Sequence, residues 1–176
     1  MMDRTAPTRS RSHADEKRGG LFSFPDPVNE VSARLVAAGV VVMVALTLAL
    51  DLRWLVAVIA YGFVARVLTG PSLSPLGQLV TRVITPRLDL APRPVPGPPK
   101  RFAQAIGVAF SASATVLVVV DQWEAARVVL ALLGIAALLE SALGLCLGCK
   151  AFAVLMRMGV IPEDVCRRCN DIWAAA

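Results

Sequence analysis

The chain has 176 residues, of which 56% are hydrophobic and only 18% are charged, and its mean hydropathy is +0.65. An ordinary soluble domain has about 25% charged residues, so the composition excludes a disordered chain, a disulfide-dense mini-protein and a typical cytosolic enzyme. The net charge is +5. A lipid bilayer explains both the sign of this charge and the apolar excess, so no nucleic-acid partner is predicted.

The chain begins with a polar, basic segment over residues 1–24. Such a segment cannot bury enough apolar surface to order itself, so we expect a disordered cytosolic arm. Asp26-Pro27 follows and is predicted to open the first helix. Asp26 would be its N-cap, and Pro27 suits the first helical position because its missing N–H has no partner there.

Four apolar runs predict membrane spans at about 31–50, 53–69, 102–120 and 126–149. A bilayer core of about 30 Å needs roughly 17–25 helical residues. The first two runs reach that length if Arg34 and Arg66 extend their charged ends to the interface. Residues 73–90 predict an amphipathic helix at the membrane surface, and a proline-rich extended linker follows it.

The predicted fold is therefore all-α: a four-transmembrane-helix bundle of two helical hairpins, joined by the amphipathic helix and the proline-rich linker. The membrane domain covers residues 25–150, and residues 151–176 form a cytosolic tail. The hairpins resemble each other, since Trp54 follows Asp51 and Trp123 follows Asp121. Either a duplicated hairpin or tryptophans placed independently at the membrane interface would produce this pattern.

The basic residues predict the orientation. The segment from Arg66 to Arg101 carries six basic residues and one acid, whereas the two hairpin turns are mainly acidic. Cytoplasmic loops carry the Lys/Arg excess, so we expect a multi-pass protein with both termini in the cytosol.

All four cysteines form two CxxC pairs near the C-terminus: Cys146 with Cys149, and Cys166 with Cys169. In the reducing cytosol we expect no permanent disulfides. Two pairs at this separation have the spacing of a four-cysteine zinc site. They also suit redox or sulfur-transfer chemistry, in which one thiolate attacks a sulfur atom and a second thiol resolves the product. A helix break at Gly148 would favour the thiolate by placing a helix N-terminus beside it.

Glu140 is a charged residue inside the predicted fourth span. It precedes Cys146 by about 9 Å along a helix axis. Intramembrane charges usually face the bundle interior and mark function. Glu140 would either relay protons to a thiol or hydrogen-bond between helices, with Gln104 as a candidate partner. In both cases we expect Glu140→Gln to leave the fold intact.

Four sequence segments resemble a bacterial integral-membrane family of unknown function, domain-of-unknown-function family 4395. The segments are Asp26-Pro27-Val28-Asn29-Glu30, Ser74-Pro75-Leu76-Gly77, Lys100-Arg101-Phe102-Ala103-Gln104 and Gly144-Leu145-Cys146-Leu147-Gly148-Cys149. The Cys-Leu-Gly-Cys motif is the most specific, and the resemblance covers about residues 25–173. It implies the bacterial cytoplasmic (inner) membrane and sulfur or thiol traffic with a thioredoxin-like or rhodanese-type soluble partner.

Together these observations predict an integral membrane thiol-redox or sulfur-relay component. Cys146 and Cys149 would be the reactive pair, Cys166 and Cys169 would resolve or accept, and Glu140 would assist. One alternative is a non-enzymatic membrane protein in which the same four cysteines hold structural zinc; no other cofactor is predicted. The other is a small transporter for a sulfur compound. The sequence leaves open whether the chain forms a homo-oligomer.

Overall fold

The computed structural model describes residues 26–88, 91 and 93–166; the predicted arm at residues 1–24 and Cys169 lie outside them. The described chain is mainly helical, with one two-stranded ribbon and short connecting turns. Its elements in chain order are β1 (Val28–Asn29), α1 (Glu30–Ala49), α2 (Arg53–Thr69), α3 (Pro75–Leu79), a π-helical turn (Val80–Ile84), α4 (Thr85–Arg87), β2 (Pro94–Val95), α5 (Gly97–Val119), α6 (Trp123–Leu143), α7 (Leu147–Arg157) and a 3-10 turn (Glu163–Cys166). The strands pair antiparallel, with Val28 opposite Val95.

The helix starts differ from the sequence prediction. Asn29 is the N-cap of α1, and its side chain accepts the Val31 N–H at 3.1 Å. Asp26 instead accepts the Gly97 N–H at 3.0 Å, so it supports the start of α5. Helix α5 also begins within the proline-rich stretch, because prolines in a first helical turn lack only an N–H that has no intrahelical partner there.

The four long helices form an antiparallel bundle. Helix α1 packs along α6, α2 packs along α5, and α5 also packs against α6. The core between them holds fully buried apolar side chains such as Val40, Val56, Ile59 and Leu130. Helix α7 lies against the start of α5, which brings the cysteine motif to the end of the bundle that holds the first turns of α1 and α5.

Most of the apolar surface of the long helices points outward. Helices α1, α5 and α6 are long and apolar enough to cross a membrane, and only 17–33% of their apolar stretches is buried inside the bundle. An apolar surface of that extent is typical of a membrane or protein contact, so these helices are compatible with a membrane protein. Helix α2 has 17 residues, which is the lower limit for a span.

The two hairpin turns share one backbone geometry. Asp51 and Asp121 both adopt positive φ, at 51° and 56°. In each turn the residue after the aspartate donates its backbone N–H to the carbonyl oxygen five residues earlier, from Leu52 to Thr47 and from Gln122 to Leu117. The tryptophans are not equivalent, since Trp54 is 65% exposed and Trp123 is 8% exposed. The shared turns, and the matching packing of α1 on α6 and α2 on α5, favour a duplicated hairpin.

Candidate functional site

The cysteine motif lies at a helix start. Helix α6 ends at Leu143, and Gly144 follows with a φ of 68° in the left-handed region. The predicted span to residue 149 is therefore too long by six residues, because a residue in that conformation turns the chain out of the helix. Helix α7 begins at Leu147. Gly148 is inside α7, where a Cβ would lie 2.5 Å from the Ala103 Cβ, so this glycine permits close packing on α5.

Cys146 is the N-cap of α7, and its Sγ accepts the Cys149 N–H at 3.3 Å. Both residues are free thiols; Cys146 is buried and Cys149 is half-buried. A hydrogen bond from the Cys149 thiol lowers the pKa of Cys146. Lys100 and the Cys149 amide act in the same direction, while burial and Glu140 oppose it. Donating to Cys146, together with burial, raises the pKa of Cys149. The pair therefore places the more acidic thiol on Cys146.

A buried ion pair lies beside the cysteines. Lys100 Nζ is 2.7 Å from Glu140 Oε1, and the two side chains are 10% and 19% exposed. Gln104, the partner that the sequence suggested for Glu140, instead accepts a hydrogen bond from Arg66 Nε at 3.0 Å. Glu140 is therefore held by a charged partner, and the amide of Gln104 serves a second cation.

Of the two arginines expected to extend to the interface, Arg66 is buried inside the bundle, whereas Arg34 is half-buried at the bundle end. Arg66 is only 5% exposed, and its guanidinium lies 4.5 Å from the Phe63 ring centroid. Arg34 donates to the carbonyl oxygens of Ser141 and Ala142 at 2.9–3.2 Å. These carbonyls are at the end of α6, where the helix leaves them without intrahelical donors. Arg34 therefore stabilises the helix end that precedes the cysteine motif.

Two cavities adjoin Cys146. The inner cavity has a volume of about 430 Å³ and lies among the long helices; apolar residues form most of its wall, with Arg66, Gln104, Glu140 and Cys146 as its polar lining. The outer cavity has a volume of about 420 Å³ and lies beside α7. Its polar and reactive lining residues are Glu30, Lys100, Cys146, Cys149, Lys150 and Arg157. Cys146 lines both cavities, so its thiol is positioned between the bundle interior and the basic face of α7.

The second cysteine pair is only partly described. Cys166 is buried and disulfide-bonded, so the expectation of a chain without disulfides is wrong for this residue. It packs against Phe152 and Met156 of α7. Phe152 and Met156 follow Cys149 by three and seven residues, so these contacts of Cys166 lie roughly 4–10 Å from Cys149 along the axis of α7. Across the described ranges, no group of three or more His, Cys, Asp or Glu side chains could hold a metal ion. The zinc alternative also involves Cys169, outside those ranges.

The helix that follows the first hairpin, α3, is capped in the same manner as α7. Ser74 is the N-cap of α3, and its Oγ accepts the Gly77 N–H at 3.2 Å. Arg66 Nη1 donates to the same oxygen at 3.3 Å. Ser74 thus corresponds to Cys146, with a hydroxyl where the second half has a thiol. Both hairpins are therefore followed by a side-chain-capped helix, and only the cap after the second hairpin carries a reactive sulfur.

Lys100 and Arg66 are the site residues that the sequence analysis did not assign. The sequence feature that could have identified Lys100 is the antiparallel order of consecutive helices. Lys100 is near the start of one long helix, and Glu140 is near the end of the next. The start of one helix and the end of its antiparallel neighbour lie at the same end of a hairpin. Gln104 follows Lys100 by four residues, which places both on one helix face.

The family comparison covers the bundle and the first cysteine pair. The model of the family described as a domain of unknown function (DUF4395) matches residues 28–157. The chain belongs to the DUF4395 family. The match includes Arg66, Lys100, Glu140 and the first cysteine pair, while the second pair lies beyond it. No curated protein and no solved structure matches the chain.

Proposed function

We propose that this DUF4395 member is a membrane thiol-redox or sulfur-relay component in which Cys146 is the attacking thiol and Cys149 the resolving thiol. One observation carries the proposal: Cys146 Sγ caps α7 and accepts the Cys149 N–H at 3.3 Å. A helix N-terminus and a nearby cation both favour a thiolate. Lys100 supplies that cation, and its charge lowers the pKa of Cys146.

The chemistry follows from the positions of the two sulfur atoms. The Cys146 thiolate attacks one sulfur of a partner disulfide, forms a mixed disulfide and releases the partner's other sulfur as a thiolate. Cys149, after losing its proton, attacks the Cys146 sulfur and releases the reduced partner. The Cys146–Cys149 disulfide remains. With a sulfane-sulfur donor, the first step instead leaves a persulfide on Cys146, and the donor leaves as its reduced anion.

The outer cavity supports a soluble partner of the thioredoxin-like or rhodanese type. It contains both thiols and places Lys150 and Arg157 beside an apolar wall formed by Pro96, Pro99 and Phe152. Basic groups beside a reactive thiol attract anionic sulfur donors and acidic partner surfaces. Cys166 packs on the same α7 face through Phe152 and Met156, so we assign the second pair a later resolving or accepting step.

The proposal includes four spans, the bacterial cytoplasmic (inner) membrane and both termini in the cytosol. Arg53 and Arg127 lie at the turn end, where they pair with Asp51, Asp121 and Glu124. The segment that joins α2 to α5 lies at the opposite, cysteine end and contributes Arg82, Arg87 and Arg93, so the positive-inside rule favours the cytosol for that end. Helix α2 spans if its 17 residues match a locally thinner bilayer.

Single cysteines introduced at the two ends test this orientation. Met158→Cys and Val119→Cys, each in a chain whose native cysteines are replaced by serine, put exposed thiols at opposite ends of the bundle; the native side chains are 69% and 80% exposed. In intact cells, a membrane-impermeant maleimide should label Val119→Cys and spare Met158→Cys. The reverse labelling pattern would overturn the orientation.

Mixed-disulfide trapping tests the thiol roles. An aromatic disulfide reagent should form a stable adduct on Cys146 in the Cys149→Ser variant, because no resolving thiol remains. The Cys146→Ser variant should form little adduct, and Cys166→Ser should resolve the adduct as the wild type does. Equal adducts in the two single variants of the first pair would contradict the assigned roles.

Metal analysis of the purified full chain distinguishes the zinc alternative. A closed four-cysteine site needs every ligand, so zinc at one equivalent that is lost equally in all four single Cys→Ser variants would refute the relay. We expect the relay pattern, in which replacing Cys146 or Cys149 abolishes resolution and no bound zinc is lost.

A further inference from the structure

The inner cavity differs from the outer cavity in what surrounds it. Leu132 and Ile135 of α6 line it and are also 53% and 54% exposed on the outside of the bundle. The cavity therefore reaches the apolar outer surface beside α6. In a membrane that surface faces lipid, so a ligand dissolved in the bilayer could enter sideways. The volume of about 430 Å³ is within the roughly 300–1,000 Å³ of small-molecule sites.

A buried cation lies at the polar end of this cavity. Arg66 donates through Nε and Nη1 to the neutral oxygens of Gln104 and Ser74. In the described part of the chain, Arg66 has no carboxylate within ion-pair distance and Nη2 makes no hydrogen bond. Glu140, which lines the same cavity, is already held by Lys100. A guanidinium nitrogen is thus available to an oxygen acceptor of a ligand.

We propose that the inner cavity binds the ring of an isoprenoid quinone, which accepts the electrons of the Cys146–Cys149 pair; this rests on the thiol function proposed above. Phe63 and Phe110 provide flat apolar surfaces for a ring, and Arg66 provides a donor for a ring carbonyl. The isoprenoid tail leaves past Leu132 and Ile135 into the lipid.

The electron balance closes without any further oxidant. The Cys146 thiolate and the Cys149 thiol form one S–S bond and lose two electrons to the quinone. The Cys149 S–H bond breaks, and its proton plus one proton from water convert the two ring carbonyls into the two hydroxyls of the quinol. The products are the protein disulfide and one quinol for each pair of thiols. A partner dithiol in the outer cavity then reduces the Cys146–Cys149 disulfide by the reverse of the exchange described above and leaves as the partner disulfide, so two electrons pass from the partner to the quinone in each cycle. Cys146 can take part in both reactions because it lines both cavities.

Neither a lipid acyl chain nor a small sulfur anion fits all of these features. An acyl chain would fill the apolar wall but leave the available guanidinium nitrogen without an acceptor, which is costly in an apolar site. A small anion would pair with Arg66 but would not use an apolar wall that reaches the lipid. A quinone combines an apolar ring and tail with carbonyl acceptors, and it also supplies the oxidant that a dithiol needs.

The test uses the full chain in lipid nanodiscs with decyl-ubiquinone as the probe. The reduced protein should lose two thiols for each quinol formed, measured by alkylation with mass spectrometry and by quinol absorbance. Ala136→Phe, which fills the cavity from α6, should slow this oxidation by about tenfold or more, the factor that corresponds to about 1.4 kcal/mol. The matched control Ala109→Phe, an exposed position outside the cavity lining, should leave the rate unchanged.

Binding measured without the thiols separates this inference from the proposed function. Decyl-ubiquinone should bind the Cys146→Ser/Cys149→Ser double variant, and Ala136→Phe in that background should abolish binding while Ala109→Phe should not. Successful mixed-disulfide trapping with no quinone binding would overturn this inference alone. Dodecanol has an alkyl tail and no quinone ring. If it competes for the cavity as well as decyl-ubiquinone itself does, the inference is also overturned. Failed trapping with intact quinone binding would refute the proposed function and leave the quinone without its electron donor, so the redox inference would fall as well.

Discussion

The Lys100–Glu140 ion pair leads to a prediction opposite to the one made from sequence. The sequence suggests that glutamine can replace Glu140 because it keeps the hydrogen-bonding capacity. In the structure, Lys100 Nζ lies 2.7 Å from the carboxylate and the two side chains are 10% and 19% exposed. Glu140→Gln therefore leaves a buried ammonium without its counter-charge, and we expect it to destabilise the bundle.

The magnitude follows from the distance and the burial. At 2.7 Å and an effective dielectric constant near 20, the Coulomb attraction is about 6 kcal/mol before desolvation is subtracted. Removing one partner of a buried pair typically costs about 3–5 kcal/mol, and partial exposure places this pair at the lower end. We expect about 3 kcal/mol for Glu140→Gln and a similar loss for Lys100→Met. The double variant should recover at least half of the summed loss, because both charges are then absent.

A double-mutant cycle in detergent micelles, with the free energy of unfolding as the readout, measures this coupling. The matched control is the Arg53–Asp121 pair at the turns, whose 2.9 Å distance is similar but whose side chains are 49% and 86% exposed. Exposed pairs contribute about 0–1 kcal/mol, so the control cycle should show a coupling below about 1 kcal/mol. Additive losses at Lys100 and Glu140 would refute the buried-pair explanation.

Three further outcomes are expected around the cysteine motif. Iodoacetamide should alkylate Cys146 at pH values below the ordinary cysteine range, since Cys149 lowers its pKa. Cys149→Ala should move the alkylation midpoint upward, and Cys149→Ser, which keeps a donor, should move it less. Gly144→Ala should cost about 1–2 kcal/mol of unfolding free energy because φ is 68°, and Gly144→Asn should cost less. Arg34→Met should cost about 2 kcal/mol through lost bonds to the carbonyls ending α6, with Arg34→Lys as the milder control.

Local patterns determined much of this protein. The long apolar runs predict the all-α class and the main helices, because the length of an apolar run and its flanking charges are local properties. The acidic hairpin turns were visible for the same reason, as was the close spacing of Cys146 and Cys149. The DUF4395 match confirms the family resemblance, and it was detectable because those motifs are continuous in sequence.

Tertiary packing decided which of these residues meet. Two glycines could have interrupted the helix near the motif, and composition does not distinguish them. The structure gives Gly144 the left-handed turn, while Gly148 remains helical and permits contact with Ala103. The partners of Glu140 and Gln104 were equally undetermined, because either pairing satisfies the hydrogen-bonding chemistry. Only the packing of α5 between α2 and α6 pairs Glu140 with Lys100 and leaves Gln104 to Arg66.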